Sequence, residues 1–301
     1  MKILTSIVLF FTILYCCLGW SSTQHMIIFQ IALNELSPEK FNLFNATVSY
    51  MQERDLNYAA FIELACMPDD LKGWHLNEMN TFHFYDQLFY DGIDPSDSPL
   101  TIDYNSSVVY VTKNIIETMK TKIFKPPFDG KMERSFMLKF LPHFVGDLHQ
   151  PLHETSRVTK NLIMGDAGGN LFPISFGRIT NLHALWDQTM NQIDYIQRPI
   201  SPDEWDKIKE YAKNFTTQYT RESLQKELAD KDVDSWGKYV HQFALSNSYV
   251  NITEKSRPSN DYLNINWEVC KKLMVLAGYR LTDLLNELLS DPKLINDFAL
   301  K

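Results

Sequence analysis

The chain has 301 residues, 45% of them apolar, which is enough for one sizeable hydrophobic core. Its formal net charge is −8 and its isoelectric point is near 5.5. That balance argues against long basic grooves that grip duplex DNA by counterion release. It leaves open nucleic acid as a substrate, because bound metal ions can supply positive charge locally.

The first nineteen residues read as a signal peptide: Lys2, then the apolar run "ILTSIVLFFTILYCC", then small residues at Cys17 and Gly19 before a cut ahead of Trp20. The run is shorter than the ~20 residues of a membrane span, so the mature protein, residues 20–301, is expected to be free of the membrane. Four Asn-x-Ser/Thr sequons, at Asn45, Asn105, Asn214 and Asn251, fit a secretory route and are expected glycosylation sites. Export or a lysosome- or vacuole-like compartment is the expected destination, since the chain finishes "NDFALK" without a retention signal. Cleavage would remove Cys16 and Cys17 and leave Cys66 and Cys270, whose pairing the sequence leaves open.

Helical signals dominate the remainder, and one mainly helical, all-α domain with monomer as the default state is the simplest organisation. "SPEKFNLF" opens with Ser37 as N-cap and Pro38 at the first helical position. "SPDEW" repeats the device, with Ser201, Pro202 and a capping-box Glu204. Near the C-terminus Leu273, Leu276, Ala277, Leu281, Leu284, Leu285 and Leu288 form one broad apolar face. Residues 91–100, 125–130 and 155–180 read as loops.

The chemistry concentrates in "FLPHFVGDLHQPLH" and "NLHALWD". On a helix His143 and Asp147 share a face, as do His183 and Asp187; His153 follows just past Pro151, where the first helix should bend or end. An imidazole and a carboxylate one turn apart can grip one cation from the same side, and two such pairs among apolar neighbours point to zinc. Upstream, "ACMPDDLK" offers Asp69 and Asp70, and "FHFYD" offers His83 and Asp86. His75, His149 and His241 lack a second ligand at suitable spacing; His149 is a candidate to hydrogen-bond a ligand from behind.

Together these residues resemble the zinc-dependent class I nucleases of fungi and plants, in the superfamily that also holds bacterial zinc phospholipase C. The marks are "HFVGDLHQPLH", "GGN" (168–170) and "NLHALWD" in this order, and the resemblance covers nearly all of the mature chain. It implies a helical fold with three zinc ions in one cleft. Asp69, His83, His143 and Asp147 would hold one ion, and His153, His183 and Asp187 a second. The third would take the α-amino group and carbonyl of Trp20, His25, and Asp147 as a bridge. The resemblance further implies a nucleobase stacked on Phe84 and contacted by Asp86. Asp69 and Lys72 would assist hydrolysis of RNA and single-stranded DNA to 5′-phosphates by metal-activated hydroxide.

The chain departs from the family pattern at Gln24, in place of glycine, at Met67, in place of tryptophan, and at Lys72, in place of arginine. The family's disulfides are not evident. Lysine keeps the charge but loses the bidentate fork. Two alternatives stay open: a zinc phospholipase C, against which Asp187 counts because the lipases tend to carry glutamate there, and a secreted metal-binding protein without turnover.

Overall fold

A computed structural model describes residues 20–50, 61–73, 77–121 and 130–298. The leader, His75 and most of the 125–130 segment therefore lie outside the described residues. Helices dominate, as expected. In chain order they are α1 (Ser22–Asn34), α2 (Pro38–Ser49), α3 (Met67–Gly73), α4 (Val108–Thr121), α5 (Gly130–Asp147), α6 (Leu182–Asp187), α7 (Pro202–Gln218), α8 (Gln225–Ala229), α9 (Val233–Phe243), α10 (Asn260–Leu288) and α11 (Pro292–Phe298). No described helix is long and apolar enough to cross a membrane.

Helix α1 is buried on nearly every side, with Met26, Ile27, Ile28 and Phe29 fully enclosed. A helix buried on nearly all its faces sits at the centre, and α1 packs between α10, α7 and α5. The α1–α10 crossing is close because Gly278 has no side chain; a Cβ there would lie 2.5 Å from Ile31 Cγ2. The apolar face read from the sequence of α10 is wholly buried, and Met274 and Val275 extend the burial beyond a stripe. Helix α5 carries Pro142 in its interior and packs against α2, α4 and α10.

The capping signals operate as written. Ser37 accepts from the Lys40 amide at 3.3 Å, and Ser201 with Glu204 closes a full capping box on α7.

The segment 155–180 is more ordered than its loop-like sequence suggests. Strand β1 (Gln87–Tyr90) pairs in parallel with β2 (Thr155–Val158), and β3 (Pro173–Phe176) pairs antiparallel with β4 (Ile179–Asn181). Strands of three or four residues carry too little alternation to stand out locally; long-range pairing creates them. Cys66 and Cys270 are buried free thiols, and burial raises the Cys66 thiol to about 12.

Candidate metal centre

Helices α1, α3, α5 and α6, a 3-10 helix and the turn after α5 bring the predicted side-chain ligands to one place. Helix α5 ends at Asp147, one turn after His143, earlier than the proline at 151 requires. Asp69 lies in the first turn of α3, and His83 ends the 3-10 helix Asn77–His83. His183 and Asp187 share a face of α6, whose N-cap Asn181 accepts from the Ala184 amide at 2.8 Å. His25 comes from the buried α1.

Three combinations of these side chains bring their ligand atoms within 4.8 Å of one another: Asp69–His83–His143, His153–His183–Asp187, and His25–His143–Asp147. The first two reproduce the core of the expected sets. The third pairs His25 with Asp147 as expected but adds His143. Asp147 is central, with Oδ2 2.8 Å from His83 Nδ1 and 3.1 Å from His143 Nε2, and Oδ1 3.3 Å from His25 Nε2. Asp187 Oδ2 lies 3.4 Å from His183 Nε2.

The hydrogen bonds behind the rings choose the tautomers. His143 donates Nδ1–H to Ala65 O at 2.8 Å, His153 to His83 O at 2.6 Å, and His183 to Gly168 O at 2.7 Å. His153 and His183 therefore turn an Nε2 lone pair inward, the usual preparation of a metal-binding imidazole, and His143 turns its Nε2 toward Asp147. Beyond these, both ring nitrogens of His25, Nε2 of His83 and of His153, and Oδ1 of Asp147 are buried without a hydrogen bond. Orphaned buried acceptors are costly in a protein interior. So many gathered in one cluster fit a set of divalent cations, and their N and O character suits zinc.

Electrostatics agree. Burial holds His25, His83 and His153 down near 4, so all three stay neutral with lone pairs available. For His143 burial acts downward, but Asp147 and Asp69 outweigh it and hold the ring up at about 10. In the cation-free protein a proton therefore takes the place between those carboxylates that a metal would fill. Burial raises Asp187 well above the usual carboxylate range, whereas the histidines around Asp147 overcome burial and hold it well below.

Lys72 forms an ion pair with Asp69 at 2.5 Å, and an arginine–carboxylate fork links the next residue, Asp70, to Arg198. Phe84 and Asp86 line one cavity of about 270 Å³ with Leu100, Ile102 and Met164. That cavity adjoins the ligand cluster, because the Tyr85 amide donates to His153 O at 2.7 Å. Burial, then Asp166, raises the Asp86 carboxyl to about 7.

Trp20 is fully buried and its indole donates to Gly146 O at 2.9 Å, while the Ser21 amide donates to Asp187 O at 3.1 Å. Gln24 at the family's glycine position is buried, touches Ser21 and donates to Thr189 Oγ1 at 2.9 Å.

One residue differs from the sequence reading, and its neighbour takes a role that reading did not assign. His149 backs none of the expected ligands: it donates to Val145 O at 2.7 Å and accepts from Arg280 at 2.9 Å. The support role falls instead to Gln150, which donates Nε2–H to Asp187 Oδ1 at 2.7 Å. Its place between ligands in "GDLHQPLH" was the available signal, but its partner is distant in sequence.

A model of the S1/P1 nuclease family matches residues 20–290. The chain belongs to the S1/P1 nuclease family. Nuclease S1 of Aspergillus oryzae is 30% identical over 52% of this chain and 55% of its own length. Endonuclease 1 of Arabidopsis thaliana is 23% identical over 93% of this chain and 90% of that protein. Endonuclease 4 of the same plant is 29% identical over 51% and 50%. The match thus spans about half the length of Nuclease S1 and nearly all of Endonuclease 1. Within the S1/P1 nuclease match lie all nine expected ligand positions.

Proposed function

We propose that this S1/P1 family member is a zinc-dependent endonuclease that hydrolyses RNA and single-stranded DNA to 5′-phosphate products. The observation that carries the reading is the convergence of histidine nitrogens and aspartate oxygens in one buried cluster beside an aromatic-lined cavity. Three zinc ions would be held by Asp69, His83, His143 and Asp147; by His153, His183 and Asp187; and by Trp20, His25 and Asp147. When bound, zinc supplies Lewis-acid polarisation of the phosphoryl oxygens and an activated water near neutral pH.

The chain's own residues bind, orient and neutralise. Lys72, freed from Asp69 when that carboxylate turns to a cation, would offer its ammonium to a phosphate oxygen. Phe84 provides a face for one nucleobase and Asp86 an acceptor for its edge. A base must leave its stack to enter that cavity, which costs a single strand less than a duplex and accounts for the strand preference.

A terminus at Trp20 would complete the third set. Both backbone anchors there, Gly146 O and Asp187 O, belong to helices that carry ligands. Removal of the leader would thus create a ligand amine, and the secretory route fits the four sequons, whose asparagines are all exposed. Monomer remains the proposed state.

The test is to assay purified mature protein side by side on RNA, single-stranded DNA, duplex DNA and phosphatidylcholine, with Asp69→Asn as control. Turnover on single strands that disappears in the variant is expected. Activity confined to the lipid would make it a phospholipase C; absence of turnover in a metal-loaded protein would make it a binding protein.

A further inference from the structure

Outside the metal centre, one surface cavity contains its own modification signal. It has a volume of about 260 Å³ and is lined by Asp194, Tyr195, Ile196, Glu204, Tyr211 and Asn214, with Lys207 and Glu210 completing it. Tyr195 is 64% exposed and stands at the mouth of this cavity. The Tyr211 ring is braced from behind by Phe215, 5.9 Å between centroids. Asn214 is the exposed asparagine of the sequon "NFT" and sits on the rim.

Charge decides what suits this cavity. Asp194, Glu204 and Glu210 bring three carboxylates against the single ammonium of Lys207, so a polyanionic strand would be repelled. A neutral, hydroxyl-rich ligand with an apolar ring face fits instead. Its hydroxyls can donate to the carboxylates while its C–H face lies on an aromatic ring.

We propose that the cavity seats the first sugars of an N-linked glycan on Asn214. The glycan packs against Tyr195 and Tyr211 and fastens the 192–200 loop to α7. The seat would have a structural consequence near the metal centre. The same loop is tied to α1 through the Ile196 amide, which donates to Thr23 Oγ1 at 2.9 Å. It is tied to α3 through the Arg198–Asp70 pair, where NH2 meets Oδ1 at 2.6 Å. Those helices carry His25 and Asp69. The inference rests on the secretory route and not on the nuclease chemistry, so it is tested without any turnover assay.

The experiment uses full protein secreted from a eukaryotic host. Peptide mass mapping should find hexosamine on Asn214. Chymotrypsin should then cut after Tyr195 about ten-fold more slowly than in Asn214→Gln or in protein stripped by a glycan amidase, because cleavage tracks how often the loop opens. Tyr195→Leu keeps a bond that chymotrypsin cuts but removes the ring. In that background the ratio of cleavage rates with and without glycan should fall to about one. An unmodified Asn214, equal cleavage rates with and without glycan, or protection that survives Tyr195→Leu would each overturn the proposal.

Discussion

Asp147 faces four histidines: His83, His143, His25 and, at 3.6 Å, His153. No other carboxylate in the cluster serves so many rings. Three of these rings are held neutral by burial and the fourth, His143, is held protonated by the carboxylates, so the protonation of each ring is a testable property. His25, His83 and His153, pushed down near 4 by burial, bind fewer protons in the folded protein than in the unfolded chain. Their contribution to stability is complete above pH 6.5 and is lost as pH falls toward 4. His143 acts oppositely: raised to about 10, it contributes fully below pH 6.5 and loses that contribution as pH climbs through 10. Imidazole nitrogen NMR of the chelated protein should show three rings neutral at pH 6 and one still protonated at pH 8. Titration of all four near 6.5 would refute the assignment.

The residue that backs Asp187 can be tested at the same scale. Gln150→Ala removes the 2.7 Å hydrogen bond from Nε2 and should weaken metal retention about 10- to 100-fold with little loss of fold. Elemental analysis after dialysis against a graded chelator series reads this directly. His149→Ala breaks contacts to Val145 and Arg280 instead, so it should lower thermal stability while leaving the zinc content unchanged. The two neighbours thus separate ligand support from packing.

At the scale of elements, the α1–α10 crossing sets the position of His25. Gly278→Ala places a methyl 2.5 Å from Ile31 Cγ2 and 3.1 Å from Ile28 O, in the middle of two long helices that cannot easily move apart. Overpacking of this kind costs about 1–3 kcal/mol, and a melting temperature lower by several degrees is the expected reading. Gly146→Ala does the same beside the site itself, with its methyl 2.7 Å from His25 Nδ1. It should lower zinc content by one ion where Gly278→Ala lowers only stability. The caps on α2 and α7, by contrast, were fully legible in the sequence, because a capping box is completed by residues three apart. The short strands β1 to β4 were not legible, since each acquires its partner only through tertiary pairing.

For the whole molecule, an acidic chain gathers a dense group of imidazoles and carboxylates at the meeting of α1, α3, α5 and α6. Cations bound there would hold these helices together, so metal binding and folding are coupled. Chelation should lower the melting temperature by several degrees, and zinc in excess should restore it. An unchanged melting curve after complete chelation would show that the cluster is stable without metal.

What the sequence by itself determined was the chemistry that repeats locally. The His-x-x-x-Asp pairs, the caps and the apolar face of α10 depend on residues a few positions apart, and local spacing is what a sequence displays. Only the tertiary structure decided which groups meet. It brought His143 into the group that holds His25 and Asp147, and set Gln150 rather than His149 behind a ligand. It also committed three rings to Nε2 through carbonyls at Ala65, His83 and Gly168. Those partners are 15 to 78 residues from the rings they orient. Only the packing of helices and their connecting segments can bring such partners together.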